Sequence, residues 1–422
     1  MQTNFTSEQL ADPKIAASND VLRKCVHCGF CTATCPTYVL LGDENDSPRG
    51  RIYLMKEMLE QGKPANAETV KHIDRCLSCL SCMTTCPSGV NYMHLVDHAR
   101  QHIEDTYRRP LFERLLRNVL AFVMPRPKLF RLALKGAALV KPAAPLTSGR
   151  LKAVLNLAPL TVPRRTHFGS PGNYPAQGPT KGRLALLQGC VQSILDPEIN
   201  AATIRVLNRL GYEVVVARGE ACCGSLTHHM GKEQDAMARA RRSIDQWTDE
   251  NVDAVISTAS GCGVTIKDYG FMFRNEKNYA AKANAISAKT KDITEFLSEQ
   301  VLPQGQGTGL VAYHSACSLQ HGQNIKTIPQ SLLQRAGFEV VEPQDAHLCC
   351  GSAGIYNIMQ PIISSQLKDQ KLAALDALKP EMIASGNIGC IRQLGRVGNT
   401  PVFHTVQLLD WAYGGVKPAY SL

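Results

Sequence analysis

The sequence predicts an α+β multidomain protein in which an α-helical N-terminal domain precedes two repeated α/β cysteine-rich domains. Sixteen cysteines occur in four groups of four among the 422 residues. The residues between the first two groups have apolar side chains at helical spacing. The last two groups repeat each other at an offset of 127 residues. Strand and helix signals alternate through both copies of this repeat, as expected for α/β units. A chain of this length exceeds the size at which one hydrophobic core keeps growing, so several domains are expected.

The N-terminal domain, residues 1–107, carries two runs of the form C-x2-C-x2-C-x3-C-P. This is the ligand pattern of a two-cluster [4Fe–4S] ferredoxin, in which the cysteine before proline serves the other cluster. The pattern predicts cluster 1 on Cys25, Cys28, Cys31 and Cys86, and cluster 2 on Cys76, Cys79, Cys82 and Cys35. A disulfide framework and a structural zinc site are the alternatives, but neither explains two runs that both end in Cys-Pro.

The sequence between the two runs is helical in character. Ile52, Met55, Met58 and Leu59 fall on one helical face, and Asn66 is a good N-cap for a second helix. Because Cys25 and Cys76 are 51 residues apart, we expect an α-helical two-cluster domain rather than a compact bacterial ferredoxin.

Residues 108–180 form a basic, proline-rich helical linker. Between Arg108 and Arg165 there are thirteen Lys and Arg residues against one acid, Glu113, interleaved with apolar residues. This pattern indicates docking to a membrane surface or a partner through residues 108–165, or a basic interdomain helix packed on the cluster domain. No apolar run reaches the length of a spanning helix. Nucleic-acid binding is not expected, because aromatic residues are few and no recognition motif is present. Residues 171–180 are expected to be disordered.

Residues 181–305 and 306–422 are predicted to be two copies of one cysteine-rich domain. Each copy has a cysteine, a Cys-Cys-Gly sequence 32 residues later, and a final cysteine. The first copy contains Cys190, Cys222, Cys223 and Cys262, and the second contains Cys317, Cys349, Cys350 and Cys390. Identical spacing in two copies favours further iron–sulfur or other metal sites. Buried structural cysteines and vicinal disulfides are the alternatives.

Strand signals precede the cysteines in both copies. Residues 183–187 and 310–313 are short apolar runs, and residues 213–216 and 339–341 are β-branched runs that follow a glycine suited to end a helix. Parallel sheets place ligands in loops after their strands. We therefore expect all eight cysteines in such loops.

The first 30 residues lack a signal-peptide pattern, since Met1 to Asp20 is polar and has no apolar core. We therefore expect a cytoplasmic location, where free thiolates persist.

Three stretches carry a resemblance to a known family: RKCVHCGFCTATCPTY at 23–38, SPRGRIYLMK at 47–56, and TTCPSGV at 84–90. Together with the Cys-Cys-Gly repeats, they resemble the iron–sulfur subunit of glycolate oxidase over nearly the whole chain. The resemblance implies a complex in which flavoprotein subunits, which alone carry FAD, oxidise glycolate to glyoxylate. It implies that this chain has no catalytic residue and passes electrons toward a quinone or another acceptor, peripheral on the cytoplasmic face of the inner membrane.

One departure concerns heterodisulfide reductase subunits, which resemble the Cys-Cys-Gly repeat but typically end it in C-x-x-C. Thr265 and Gln393 stand where the second cysteine of that motif would be. We therefore expect a four-cysteine cluster or an empty site in each repeat. A heterodisulfide-reductase-like enzyme and the iron–sulfur subunit of a glycerol-3-phosphate or D-lactate dehydrogenase are the alternative functions.

Overall fold

The computed structural model describes residues 1–219, 222–397 and 400–419. Its N-terminal region is α-helical, as predicted. The helices are Ser7–Leu10 (α1), Pro13–Lys24 (α2), Pro36–Leu41 (α3), Pro48–Gln61 (α4), Ala67–Asp74 (α5), Ser81–Thr85 (α6) and Tyr92–Thr106 (α7), with a 3-10 turn at Glu44–Asp46.

The predicted helical signals in this region are confirmed. The Ser47 hydroxyl accepts a hydrogen bond from the Gly50 N–H at the start of α4, and Asn66 caps α5 at Thr69. Helix α4 ends before Gly62, whose φ of 60° is the left-handed conformation that glycine adopts readily. The predicted apolar face of α4 is buried in the core of the domain together with Leu95 and Ile103 of α7.

Residues 108–180 contain three further helices and one strand. They are Leu111–Val123 (α8), Pro127–Val140 (α9), Gly149–Leu157 (α10) and Gly172–Tyr174 (β1), with a 3-10 segment at Lys141–Leu146. The expectation of disorder at 171–180 is wrong for β1, which pairs antiparallel with Val214–Val216. Its partner lies about forty residues away, so local composition could not reveal the pairing.

The first repeat is a parallel sheet with helices around it. Its elements are Gly182–Leu186 (β2), Gln192–Leu195 (α11), Pro197–Arg209 (α12), Tyr212–Val216 (β3), Ser225–His228 (α13), Glu233–Asp249 (α14), Ala254–Ser257 (β4), Ser260–Lys267 (α15), Tyr269–Met272 (α16), Ala280–Lys289 (α17), Thr290–Asp292 (β5) and Ile293–Ser298 (α18). The strand order is β1-β3-β2-β4-β5, and Leu184 of β2 lies opposite both Val214 and Ala254. Only β1 is antiparallel among these described strands.

The second repeat has the same plan. Its elements are Leu310–His314 (β6), a π-helical turn at Ser318–Gly322, Ile328–Arg335 (α19), Glu339–Val341 (β7), Tyr356–Met359 (α20), Pro361–Asp376 (α21), Met382–Ser385 (β8), Ile388–Leu394 (α22), Arg396–Val397 (β9), Thr400–His404 (β10) and Thr405–Ala412 (α23). The strand order is β7-β6-β8-β10-β9, with β9 antiparallel to β10. The predicted succession of helical ferredoxin-like domain and two α/β repeats is therefore confirmed.

The two repeats are packed against each other through α12 and α23. Asp410, 1% exposed, accepts hydrogen bonds from Arg205 and Arg209, which satisfies a buried carboxylate across this contact. None of the described helices is long and apolar enough to cross a membrane.

Candidate metal centres and the cavity between them

The two N-terminal cysteine loops have the same backbone conformation. In the first loop His27 and Gly29 have φ values of 56° and 88°, and in the second loop Ser78 and Leu80 have 49° and 63°. These pairs are equivalent positions of the two C-x2-C-x2-C motifs. Three of the four residues are not glycine, and left-handed backbone at such residues is concentrated at functional loops. The sequence repeat is thus also a structural repeat, with both loops wound in the same unusual way.

Cysteines from both runs meet at the position predicted for cluster 1. Cys25, Cys28, Cys31 and Cys86 line a small common cavity of about 30 Å³ beside Arg49. Cys25 is buried and Cys28 is exposed, so this site is open to solvent on one side. The last cysteine of the second run lies with the first three of the first run, which is the arrangement required if the two loops exchange ligands.

Cys35 lies on the other side, with the cysteines predicted for cluster 2. Burial, reinforced by neighbouring thiols that include Cys35, raises the pKa values of Cys79 and Cys82 well above their ordinary range. Cys35, Cys76, Cys79 and Cys82 are all buried. Crowded thiols with raised pKa values must lose protons to a metal to bind it, so occupancy of this site depends on a strongly thiophilic metal.

A buried arginine beside this site has a role that the sequence analysis missed. Arg51 is 1% exposed, donates to the His72 carbonyl and Thr37 hydroxyl, and lies 3.8 Å from the Cys35 sulfur. Burial opposes its charge, but Cys76 and other nearby acidic groups outweigh burial and raise the pKa of Arg51. The only available signal was its place in the SPRGR stretch. Arg51 is a fixed positive charge for the thiolates of this site.

Cys76 shows the effect of that charge. Burial by itself raises the pKa of its thiol, but Arg51 and Arg100 outweigh burial, so the pKa of Cys76 is lowered. Arg100 also donates to the Cys76 carbonyl, and the Tyr92 hydroxyl lies 3.7 Å from the Cys76 sulfur. Cys76 is thus more easily deprotonated than Cys79 and Cys82 of the same site.

The four cysteines of the first repeat converge. Cys190 follows β2, Cys222 and Cys223 follow β3, and Cys262 follows β4. A hydrogen bond from the Cys190 thiol, supported by Cys223, lowers the pKa of Cys222 well below its ordinary value. Hydrogen bonds to Cys222 and Cys262 raise the pKa of Cys223. The four sulfurs therefore form one connected group.

The four cysteines of the second repeat form a matching group. The Cys317 and Cys349 sulfurs are 3.7 Å apart, and hydrogen bonds link Cys349 to Cys350 and Cys350 to Cys390. The expectation that all eight cysteines lie in loops is wrong for Cys262 and Cys390, which lie in the first turn of α15 and α22. Only two residues separate each of these helices from the preceding strand, so the helix start takes the place of a loop.

The glycine of each Cys-Cys-Gly sequence is required by geometry. Gly224 and Gly351 have φ values of 87° and 84°, and a Cβ at either position would lie 2.7 Å from a backbone carbonyl oxygen, of Ala236 or Ser364 respectively. Both the left-handed backbone and the close approach of the next helix exclude a side chain. The vicinal cysteines are thereby fixed at the end of their strand.

Both repeat sites open into one cavity of about 820 Å³. Cysteines of the two groups face it from opposite repeats, and Cys76 of the N-terminal domain also lines it. Its apolar wall comes from α8, α9 and α10, and includes Leu116, Leu120, Val123, Phe130, Leu134 and Val154. The cavity is therefore a largely apolar chamber at the junction of all three cysteine-rich regions.

The helices that cover this cavity are apolar on two faces. Their outer faces expose the large side chains of Leu111, Phe112, Leu115, Phe122, Leu132 and Leu139. Some basic residues of this linker do not lie on its outer face. Arg109 pairs with Asp74 and Glu113, and buried Arg117 donates to the Met230 carbonyl. Part of the linker therefore packs on the cluster domain, whereas its outer face remains uncovered in the described chain.

The cysteine sites adjoin one another. Cys79 of the N-terminal domain packs in one cluster with Cys349 and Cys317 of the second repeat. Tyr356 of the second repeat lies at the same contact and donates to the Arg75 carbonyl. A cysteine predicted to bind cluster 2 is thus a near neighbour of two cysteines of the second repeat.

The donor set fits iron–sulfur clusters. All sixteen cysteines are free thiols, so neither a disulfide framework nor vicinal disulfides are formed. They form four groups of four, buried except where they face a cavity, and such all-sulfur sites are selective for soft metals and Fe–S clusters.

Comparison with known proteins defines the class. Residues 21–90 match the family described as 4Fe-4S dicluster domain, and residues 184–267 and 311–395 match the family described as Cysteine-rich domain. The chain is therefore an iron–sulfur protein with a dicluster domain and two cysteine-rich repeats.

Full-length relatives narrow this class. The chain is 42% identical to "Glycolate oxidase iron-sulfur subunit" of Escherichia coli (strain K12) over 98% of this chain and 99% of that protein. It is 32% identical to "Probable glycolate oxidase iron-sulfur subunit" of Bacillus subtilis (strain 168), covering 93% and 94% of the two chains. The chain belongs to the family of glycolate oxidase iron–sulfur subunits.

The overall fold also resembles a solved structure. "Crystal structure of a hypothetical protein from Helicobacter pylori" superposes with a TM-score of 0.58 at 9% identity, covering 97% of this chain and 74% of that one. At this identity the likeness concerns the fold alone.

Proposed function

We propose that this chain is the electron-transfer subunit of a glycolate oxidase complex, in which a flavoprotein partner oxidises glycolate to glyoxylate. The observation that carries the proposal is the row of adjoining cysteine groups from Cys25 to the cavity. Bound [4Fe–4S] clusters would supply one-electron redox chemistry at these groups. Substrate oxidation is assigned to the partner, because hydride transfer needs an organic cofactor and the chain has no dinucleotide fingerprint.

Residues of this chain bind the row of cysteine groups, place a charge beside it and shield part of it from solvent. The Cys25, Cys28, Cys31 and Cys86 group is the exposed end, since Cys28 is open to solvent, and we assign electron entry from the flavoprotein to this end. The next group is buried and has Arg51 as a fixed counter-charge. A buried positive charge favours the more negative, reduced state of a site. Arg51, which also pairs with the buried carboxylate of Asp46, thereby favours reduction of this inner group.

We assign the acceptor to the cavity, as a quinone. A quinone has an apolar ring and tail, and the cavity combines an apolar wall with two cysteine groups that open into it. Two cysteine groups facing one chamber suit an acceptor that takes two electrons. The balanced reaction is glycolate plus quinone giving glyoxylate plus quinol, since glycolate releases the two electrons and two protons that the quinone takes up.

Helices α8, α9 and α10, which cover the cavity, form the path by which a quinone reaches it from a membrane. Their exposed apolar side chains and the exposed basic residues Arg114, Lys128 and Lys135 suit burial in an interface with anionic lipid headgroups. The opposite faces of the same helices line the cavity. We therefore place the chain at the cytoplasmic face of the membrane, with α8, α9 and α10 between the lipid and the cavity.

Filling the cavity tests this assignment in the intact complex. Val154 of α10 lines the cavity, whereas Leu151 of the same helix is 58% exposed and does not. Val154→Trp is expected to lower glycolate-dependent quinone reduction about tenfold or more, which corresponds to about 1.4 kcal/mol. Reduction of ferricyanide, a small acceptor in water, should change less than twofold.

Leu151→Trp is the matched control and should leave both rates within twofold of the wild type. Equal loss with both acceptors in Val154→Trp would place the defect upstream of the cavity. Unchanged quinone reduction in Val154→Trp, with the tryptophan shown to be in place, would reject the cavity as the acceptor site.

A further inference from the structure

The second repeat contains a buried histidine whose ring nitrogens are both unsatisfied. His314 is the last residue of β6 and is 1% exposed. Within the described part of the chain neither Nδ1 nor Nε2 has a hydrogen-bond partner. A buried polar group without a partner is costly, so such a group indicates a ligand that is absent from the protein atoms.

Other histidines near the repeat sites are satisfied. His404 caps α23 through the Val406 N–H and bonds the Thr258 carbonyl. His321 contacts the Thr84 hydroxyl and the His347 carbonyl. The state of His314 is therefore a property of its own position rather than of histidines in this region.

His314 is directed at the cysteine group of the second repeat. A ring nitrogen of His314 and the sulfurs of Cys350 and Cys390 all lie within 4.8 Å of one another. Cys350 is hydrogen-bonded to Cys349, which in turn lies 3.7 Å from Cys317. The imidazole thus lies beside two of the four linked thiols as a further donor atom.

The first repeat lacks this donor. The position equivalent to His314, 127 residues earlier, is Leu187, which is 2% exposed and packs in an apolar core. Among the described residues, the site at Cys190, Cys222, Cys223 and Cys262 therefore has no imidazole at the position that corresponds to His314. Gln393, where a further cysteine could extend the last motif, donates to the Cys350 carbonyl and the Ser364 hydroxyl and takes a structural part.

We propose that a ring nitrogen of His314 coordinates iron in a cluster bound by Cys317, Cys349, Cys350 and Cys390, so that the two repeats hold different centres. This inference rests on the proposed electron-transfer function. Imidazole nitrogen is a known ligand of iron–sulfur clusters, and a neutral imidazole adds no negative charge to the four thiolates.

The test uses the full complex, reduced anaerobically, and pulsed electron paramagnetic resonance to detect strong coupling of an electron spin to a directly bound nitrogen. The wild type should show this coupling. His314→Leu, which copies the first repeat, should lose it. His321→Gln changes a hydrogen-bonded histidine of the same repeat and should retain it.

His314→Cys keeps the proposal testable if His314→Leu cannot hold its cluster. A thiolate at this position should retain the iron content, abolish the nitrogen coupling and lower the reduction potential of the centre. Absence of strong nitrogen coupling in the wild type, or identical coupling and potential in His314→Cys, would overturn the proposal. Glycolate-dependent reduction of the N-terminal clusters would be unaffected by that outcome, so the proposed function would remain standing.

Discussion

The two cysteine-rich repeats share a backbone plan but differ in the polar groups that surround their cysteines. In the first repeat Leu187 packs in the same apolar cluster as Cys223, and Arg239 of α14, which donates hydrogen bonds to Asp235, is the nearby cation. In the second repeat His314 faces the site, and the cation is Lys371, which is 4% exposed. The duplicated sheet sets where the thiols converge. The side chains that differ between the two copies set what each site can hold.

The strongest test of the shared plan is to add a methyl group at the glycine of each Cys-Cys-Gly sequence. Gly224→Ala and Gly351→Ala each force a left-handed alanine whose Cβ lies 2.7 Å from a carbonyl oxygen. We expect each to destabilise the protein by about 2–4 kcal/mol, from backbone strain and overlap together. Chemical denaturation of the full chain, with iron content measured in parallel, would record the loss.

Gly42→Ala provides a control, because that glycine also has a left-handed backbone, with φ 68° and ψ 5°, but no atom within 4 Å of an added Cβ. Its cost should be limited to the backbone strain, about 1 kcal/mol. If only one of the two Cys-Cys-Gly variants were destabilised, the two repeats would not share the close approach described above.

A smaller effect is expected at the contacts between the repeats and the N-terminal domain, and it should differ between the two repeats. The first repeat is joined by His228, whose Nε2 is 3.2 Å from Asp97 of α7, and the second by the Tyr356 hydroxyl on the Arg75 carbonyl. Burial opposes the charge of His228, but Asp97 outweighs burial and raises the pKa of His228. Burial opposes the charge of Asp97 as well, but the two imidazoles outweigh it and lower the pKa of Asp97.

The two pKa shifts make the stability of this contact depend on pH in opposite directions. The contribution of His228 is fully present below about pH 6.5 and is lost as pH rises through its raised pKa, whereas that of Asp97 is present above about pH 4 and is lost in acid. The first contact should therefore weaken between pH 6 and pH 9, as His228 loses its proton. Burial raises the pKa of Tyr356, so the second contact should not change over this range.

Amide hydrogen exchange of α7 and α13 in the full chain, compared with α20, measures the two contacts separately. His228→Gln should remove the pH dependence at α13 while leaving α20 as it was. The same pH profile in the wild type and in His228→Gln would show that the Asp97–His228 pair does not control this contact.

The success of the sequence analysis depended on how local each signal was. The dicluster domain, the apolar face of α4 and the Asn66 cap depend on neighbours in the chain, and they were predicted correctly. The strand β1 and the cavity depend on segments far apart in sequence. Arg51 and His314 look ordinary in the sequence, because their importance comes from burial next to cysteines that lie elsewhere in the chain.

Electron transfer from glycolate to this chain is tested by low-temperature electron paramagnetic resonance of the complex, isolated anaerobically with its native partners. Spectra are recorded before and after one donor is added. Glycolate should produce reduced-cluster signals from this chain, whereas D-lactate and glycerol 3-phosphate should not. Silence with glycolate, together with signals from another donor, would contradict the glycolate assignment while keeping the chain as an electron carrier.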